Sequence, residues 1–181
     1  MIKRFYLKYR RKKLENEIGN AGYNFQWKGK YVENPERLFI GNNVYIGPGA
    51  RLYSKGKIQI EDGVICGPNL TIYTYNHNYF DSKYLPYDEV YKLKPVHIGK
   101  NVWIGDSVSV IPGINIGEGS IIGMRSVVVK DIPPFSIVGG NPAKVIRMRE
   151  DIDNYKQLDA KGLNYLHFKD LRGLKPKHVD E

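Results

Sequence analysis

The sequence predicts a mainly β chain wound as a parallel β-helix, a three-faced prism of short strands. Three observations carry that expectation. Over residues 96–147 an aliphatic residue recurs at every sixth position, as Ile98, Ile104, Val110, Ile116, Ile122 and Val128. An apolar or small residue stands two places before each, as Val96, Val102, Val108, Ile114, Ser120 and Ser126. Glycine follows four of the leading aliphatics, as Gly99, Gly105, Gly117 and Gly123. A period of six fits neither a helix, which repeats every ~3.6 residues, nor a plain strand, which alternates. It fits a coil of short strands joined by tight turns, with one aliphatic per hexapeptide pointing inward and stacking on its equivalent in the next turn.

Composition frames this reading. The chain has 181 residues, 41% hydrophobic and 26% charged, which suits one globular domain with appendages and a real core. No apolar run approaches the roughly 18–20 residues that a membrane span needs. The start, MIKRFYLKYRRKK, is basic but leads into no apolar stretch or small-residue cleavage site, so no secretory signal is read. The single cysteine, Cys66, excludes an intramolecular disulfide and suits a reducing compartment. A cytoplasmic protein is expected, with the inner face of the membrane as the alternative address. The net charge of +9 is uneven. Residues 1–37 carry ten Lys/Arg against four Asp/Glu, residues 38–147 eleven against eight, and residues 148–181 seven against seven.

The elements follow in order. Residues 1–37 read as a basic helical arm, with Ile2, Phe5, Tyr6 and Tyr9 sharing one helix face and Gly19 offering a stop. The favoured role is a solvated helix docking its aromatic face on the body or a neighbouring subunit. The sharper alternative is a peripheral membrane contact through residues 1–13 on anionic lipid. Residues 38–147 read as the β-helix. The period starts at Ile40 and Ile46, slips by two residues through Ser54-Lys55-Gly56-Lys57, and resumes at Ile60, Cys66 and Ile72. The slip predicts one enlarged corner, and Cys66 falls in the inward series as a packing residue rather than a nucleophile. Between Ile72 and Ile98 the pattern is lost, giving an inserted loop over 73–95 rich in tyrosine and holding His77. An insertion of this length in a compact domain is usually functional. Residues 148–181 read as a tail of short helices, with Leu158, Leu163, Leu166 and Phe168 available to cover the open end of the coil.

With these residues in view, the chain resembles the hexapeptide-repeat acetyltransferases, the left-handed β-helix family. VWIGDSVSVIPGINIGEGSIIG and SVVVKDIPPFSIVGGNPAKVIR carry the resemblance to the superfamily, and CGPNLTIYTYNH carries that to its sugar and polysaccharide O-acetyltransferase branch. The resemblance implies a left-handed coil, acetyl-CoA as cosubstrate, and a homotrimer with active sites between subunits. The implied reaction moves an acetyl group to a sugar hydroxyl, on a capsule, O-antigen or lipopolysaccharide precursor. Alternatives are N-acetylation of a nucleotide amino sugar, acetylation of a streptogramin-type antibiotic, and a non-catalytic β-helix scaffold.

Acetyl transfer from a thioester to a hydroxyl needs a base, donors for the oxyanion and a slot for the pantetheine arm, with no metal. His77 is the candidate general base, because imidazole titrates near neutrality and related proteins carry their catalytic histidine at the matching loop position. Asn76, Asp81 or a backbone carbonyl are open as its orienting partner. Tyr75, Asn76 and Tyr79 are candidate acceptor contacts, since aromatic faces suit the C–H surfaces of sugars. The resemblance marks Trp103, Asp106, Gly123, Met124, Arg125, Lys130, Lys144 and Arg147 as candidate cofactor contacts. Arg125 stands where related chains have a second glycine, which argues against a left-handed backbone there. His97 reads as structural. No metal site is read, because His77 and His97 lack supporting Cys/His spacing. No nucleic-acid partner is read either, because the basic arm carries no reader motif.

Overall fold

The computed structural model of the chain describes Leu14 and residues 16–172. The lipid-facing reading of residues 1–13 therefore lies outside the described residues. So does the stretch from 173 to 181.

Short strands of two to five residues turn through three faces in repeating order. The first face stacks Asn20–Ala21, Leu38–Ile40, Ile58–Ile60, Val96–Ile98 and Asn115–Ile116. The second stacks Gln26–Trp27, Tyr45–Ile46, Ile65–Cys66, Trp103–Ile104, Ile121–Ile122 and Ser136–Gly139, closed by Lys144–Met148. The third stacks Tyr31–Glu33, Arg51–Tyr53, Thr71–Tyr73, Ser109–Val110 and Val127–Val128. Within each face the strands pair parallel, except the last, where Lys144–Met148 runs antiparallel to Ser136–Gly139.

Register turns the hexapeptide period into columns. Ile40, Ile60, Ile98 and Ile116 stack on the first face; Ile46, Cys66, Ile104, Ile122 and Val138 on the second; Leu52, Ile72, Val110 and Val128 on the third. All are buried, and together they line one continuous core. Cys66 is packing material, as read: burial pushes its thiol up to about 12, where it is no nucleophile.

The corners repeat as strictly as the core. Three residues after an inward residue the backbone turns left-handed, at Asn43, Gly49, Gly63, Asn69, Asn101, Ser107, Gly113, Gly119 and Arg125. Asparagine and glycine tolerate that conformation best. Arg125 adopts it at φ 58, so the expectation that arginine would forbid the left-handed turn is overturned. Its N–H donates to the Asp106 carbonyl oxygen at 2.7 Å, and the stacked corner imposes the conformation on whatever residue stands there.

Two boundaries differ from the sequence reading. The coil begins at Asn20, one full turn before residue 38, because Gln26–Trp27 and Tyr31–Glu33 pair in register with the turn above. Trp27 and Val32 pack against the core there, and residues of such different size hide the aliphatic period. The tail also does not close the end of the coil. The helices Ile152–Ala160 and Tyr165–Arg172 lie along the corner between the first and second faces, where Leu158 and Leu163 remain exposed and Leu166 is buried, while the side chain of Phe168 lies outside the described residues. Asn101 Nδ2 donates to the Tyr155 hydroxyl at 3.0 Å and to Asp159 Oδ1 at 2.9 Å, and the Tyr155 hydroxyl donates to Glu118 Oε1 at 3.0 Å. At the other end, buried Ile18 and partly buried Leu14 cover the first turn.

The slip at 54–57 is the enlarged corner expected, with Lys57 N–H donating to the Ser54 carbonyl. It also supports the insertion. The Gly56 N–H donates to Thr74 Oγ1 at 2.7 Å, the Thr74 hydroxyl to the Tyr53 carbonyl at 2.7 Å, and Lys94 N–H to the Thr74 carbonyl at 2.8 Å. The insertion itself is not structureless: Tyr75–His77 and Tyr91–Leu93 form an antiparallel ribbon separate from the three faces. Among the described residues no helix is long and apolar enough to cross a membrane.

Truncating Ile104, which is fully buried in the middle of its column, is expected to cost about 2–5 kcal/mol. Equilibrium urea unfolding of Ile104→Ala at fixed protein concentration measures it. Asn101→Ala is expected to release the helix Ile152–Ala160, and amide exchange there should accelerate while core strands stay protected.

Candidate active site

His77 closes the first strand of the ribbon, directly across from Tyr91. Its ring stacks on Tyr87 at a centroid distance of 3.8 Å and 22°, and meets Tyr91 at 4.8 Å and 44°. Nδ1 is buried with no hydrogen-bond partner among the described residues, which leaves Nε2 as the nitrogen reaching solvent. Neither side chain proposed to orient the ring does so within the chain. Asn76 Oδ1 accepts the backbone N–H of His77 at 2.9 Å, and Asp81 turns the backbone at φ 54 without bonding the ring. Packing against two tyrosines holds it instead.

Around the ring, the tyrosines form a continuous series. Tyr53 and Tyr73, register partners on the third face, stack at 4.1 Å and 7°. Tyr73 meets Tyr75 edge-on at 6.1 Å, and Tyr75 meets Tyr91 at 5.1 Å. Lys55 Nζ lies over the rings of Tyr75 and Tyr91, at 4.5 and 3.9 Å. Burial, then the Glu33 carboxylate beside it, raises the Tyr75 phenol well above its ordinary value, so it stays protonated. Of the candidate acceptor contacts, Tyr75 is built into this series, Asn76 is exposed on the ribbon, and Tyr79 stands 72% exposed beyond it. Sequence reasoning counted Tyr87 among the loop aromatics that could stack on a sugar but missed its stacking on His77, and it missed Asp88, because nothing in the six-residue period marks either. Asp88 is buried and accepts hydrogen bonds from the Val90 N–H, the Asn78 amide and the Lys83 N–H. Burial pushes its carboxyl up, but those donors and the Lys83 charge outweigh burial and hold it below the usual range.

The residues marked for the cofactor gather elsewhere. Asp106, Gly123, Met124 and Arg125 stack on the corner between the second and third faces. Gly47, Gly67, Gly105, Gly123 and Gly139 climb the same edge. A Cβ at Gly105 would meet the Met124 nitrogen at 2.7 Å, which keeps this edge free of side chains. Asp106 Oδ1 accepts from the Ser107 hydroxyl at 2.6 Å and from the Asn69 amide at 3.3 Å. Trp103 faces outward on the second face at 56% exposure, in register with Ile121, Ile137 and Arg147. Lys144 pairs with Gly139 at the same edge, and Arg147 lies 3.6 Å from Glu150. Lys130 is exposed past the far side of the third face, apart from the others. The ribbon with His77 rises from that far side too. Within one chain, the third face separates His77 from the Asp106–Arg125 corner.

Other histidines stand as read or on the periphery. His97 Nε2 lies 2.9 Å from Glu61 Oε1 on the first face, and His167 meets Tyr23 edge-on at 6.3 Å. Among the described residues no cluster of three or more His, Cys, Asp or Glu could hold a metal ion.

Comparison with known proteins agrees with this architecture. The profile described as bacterial transferase hexapeptide (six repeats) matches residues 95–130. Galactoside O-acetyltransferase of Escherichia coli is 35% identical over 125 residues, covering 69% of this chain and 61% of its own. A maltose O-acetyltransferase structure from Clostridium difficile superposes with a TM-score of 0.71 at 33% identity, covering 79% of this chain and 76% of its own. A hexapeptide-repeat acetyltransferase of Vibrio cholerae, solved with acetyl coenzyme A, gives a TM-score of 0.71 at 28% identity, covering 80% and 78%. The chain spans 55% to 62% of the length of the curated relatives it matches. A six-residue period resolved into stacked inward columns, a repeated left-handed corner, a sequence profile match and two superposed relatives all point one way, and the chain belongs to the hexapeptide-repeat transferase family.

Proposed function

We propose that this protein is an acetyl-CoA-dependent O-acetyltransferase that modifies a sugar hydroxyl, with His77 as general base. Its acceptor would be a saccharide of the capsule, O-antigen or lipopolysaccharide type, met in the cytoplasm or at the inner face of the membrane. The observation that carries the reading is the ring of His77, packed against two tyrosines at the neck of an insertion while Nε2 is left free.

The corner between the second and third faces fits the cosubstrate chemically. Exposed Trp103 and Met124 offer apolar surface, and Arg125, Lys144 and Arg147 offer cations for a polyanionic end. Bound there, acetyl-CoA would supply the activated acetyl thioester. Nε2 of His77 would take the acceptor hydroxyl proton as that oxygen bonds to the acyl carbon. The same nitrogen would then return the proton to the thiolate as the carbon–sulfur bond breaks, so no covalent enzyme intermediate is needed. Tyr75, Asn76 and Tyr79 would line the acceptor side.

Three features support a homotrimer with sites between subunits. The third face separates His77 from the cofactor corner of its own chain, so a neighbouring copy is needed to complete the pair. For Nε2 to accept a proton, Nδ1 must carry one, and a buried N–H requires an acceptor. A second copy is the natural source of it. The outward column Tyr45, Ile65, Trp103, Ile121 and Ile137 is apolar and is the kind of surface that self-association covers.

Free-thiol release from acetyl-CoA against maltose, galactosides, nucleotide sugars and lipid-linked saccharides tests the activity. No release with any acceptor, together with no coenzyme A binding by calorimetry, would overturn the proposal. His77→Ala is expected to lower turnover by roughly 10²–10⁴-fold while coenzyme A binding and assembly persist. Ile121→Asp, which places a charge in the apolar column, is expected to shift the particle toward monomer in light scattering and to abolish turnover with it.

A further inference from the structure

We propose that Asp88 is a positioning residue for the transfer, holding the His77 ring in its working orientation through Asn78 and Tyr87. The inference rests on His77 as the base. His77 forms the last cross-strand pair of the ribbon, and beyond it the chain makes the excursion 78–90. Residues 79–87 are exposed throughout except Ser82, yet Asn78 and Asp88, which bracket them, are both buried. Asp88 Oδ2 accepts from Asn78 Nδ2 at 2.8 Å and from the Lys83 N–H at 3.3 Å, and Oδ1 accepts from the Val90 N–H at 3.0 Å. The backbone joins in, with the Asn78 N–H donating to the Val90 carbonyl at 2.9 Å and the Asp88 N–H to the Asn78 carbonyl at 3.3 Å. One carboxylate thus ties the neck of the excursion shut.

The two residues beside this knot are the two stacked rings. Asn78 follows His77, and Asp88 follows Tyr87. Tyr91, the other ring against the imidazole, is fixed by the ribbon pairing. Tyr87 lies outside any strand, so the neck is what sets its place on the histidine. An apolar side chain at 88 would leave the Asn78 amide and the backbone N–H groups of Lys83 and Val90 without their acceptor. Stacking of Tyr87 engages the plane of the imidazole and leaves Nε2 open to an acceptor, while Nδ1 is buried. The hydrogen bonds of the Asp88 carboxylate go to Asn78, Lys83 and Val90 and not to the ring, so it acts through its neighbours.

Selective observation of histidine ring carbons by NMR tests the clamp without any acceptor. The His77 signal is identified by its loss in His77→Ala, and ring currents from the flanking tyrosines should hold it upfield of free imidazole. Tyr87→Ala and Asp88→Ala are both expected to move it back toward free imidazole, and Tyr87→Phe to leave it in place. Should Asp88→Ala not fold, Asp88→Asn keeps the volume, weakens the acceptor set and should move the signal the same way by less. An unmoved signal in the folded Asp88 variant overturns the clamp. With an acceptor from the thiol-release panel, Asp88→Ala is expected to lower kcat roughly 10²-fold, the scale of a displaced catalytic group, with KM for acetyl-CoA within about twofold. Adding it to His77→Ala should cost nothing further. A moved signal with wild-type kcat overturns the positioning role, whereas wild-type turnover in His77→Ala overturns the base assignment alone.

Discussion

Everything in this molecule depends on a vertical contact: each inward aliphatic rests on its equivalent in the turn below. Ile104 on Cys66, Ile122 on Ile104 and Val138 on Ile122 make one such column, and two more stand beside it. A column survives only if every turn returns the chain to the same place, so the corners are as constrained as the core. That is why a left-handed residue recurs at a fixed distance from the inward position, and why the position held by Gly105 has no room for a Cβ and that of Gly123 little. Strands of two or three residues could not hold such a shape alone. Their parallel pairing up the stack does.

Given that rigid frame, departures from it stand out. The corner after the third face is widened at 54–57, and one turn higher the same corner releases the ribbon. The ribbon is thus founded on hydrogen bonds from the frame, through Thr74, and not merely tethered at its ends. It carries a tyrosine series that continues from the outer surface of the third face to the histidine. A flexible loop would leave an imidazole free to sample many orientations. Here packing against Tyr87 and Tyr91 restricts it before any acceptor arrives, which lowers the ordering cost of the reactive geometry.

The prism was legible because its period is enforced by contact. Ile98, Ile104, Val110, Ile116, Ile122 and Val128 each meet an equivalent, so the spacing tolerates no drift. The first turn escaped notice because Trp27 and Val32 do the same work with unlike shapes. Arg125 misled for a related reason: intrinsic preference argued for glycine, while the stacked corner decided the conformation. His77 could be singled out from its loop and its leader residues. Its surroundings could not, because Tyr87 reaches it, and Asp88 reaches the neighbouring Asn78, only when the excursion folds back, and no local pattern encodes a return over that distance. The gathering of Trp103, Asp106, Gly123, Met124 and Arg125 follows from the period once the corners are counted. Lys130 breaks from that group because it lies past the third face.

The final strand reverses. Because Lys144–Met148 runs antiparallel to Ser136–Gly139, the growing edge of the second face ends on a strand whose donors and acceptors are out of step with a further parallel turn. The second face therefore does not carry its own direction upward into a further coil, while the first and third faces end on Asn115–Ile116 and Val127–Val128, both paired parallel. A turn inserted within the stack, below the reversing strand, would have to bring its own inward aliphatic and its own left-handed corner.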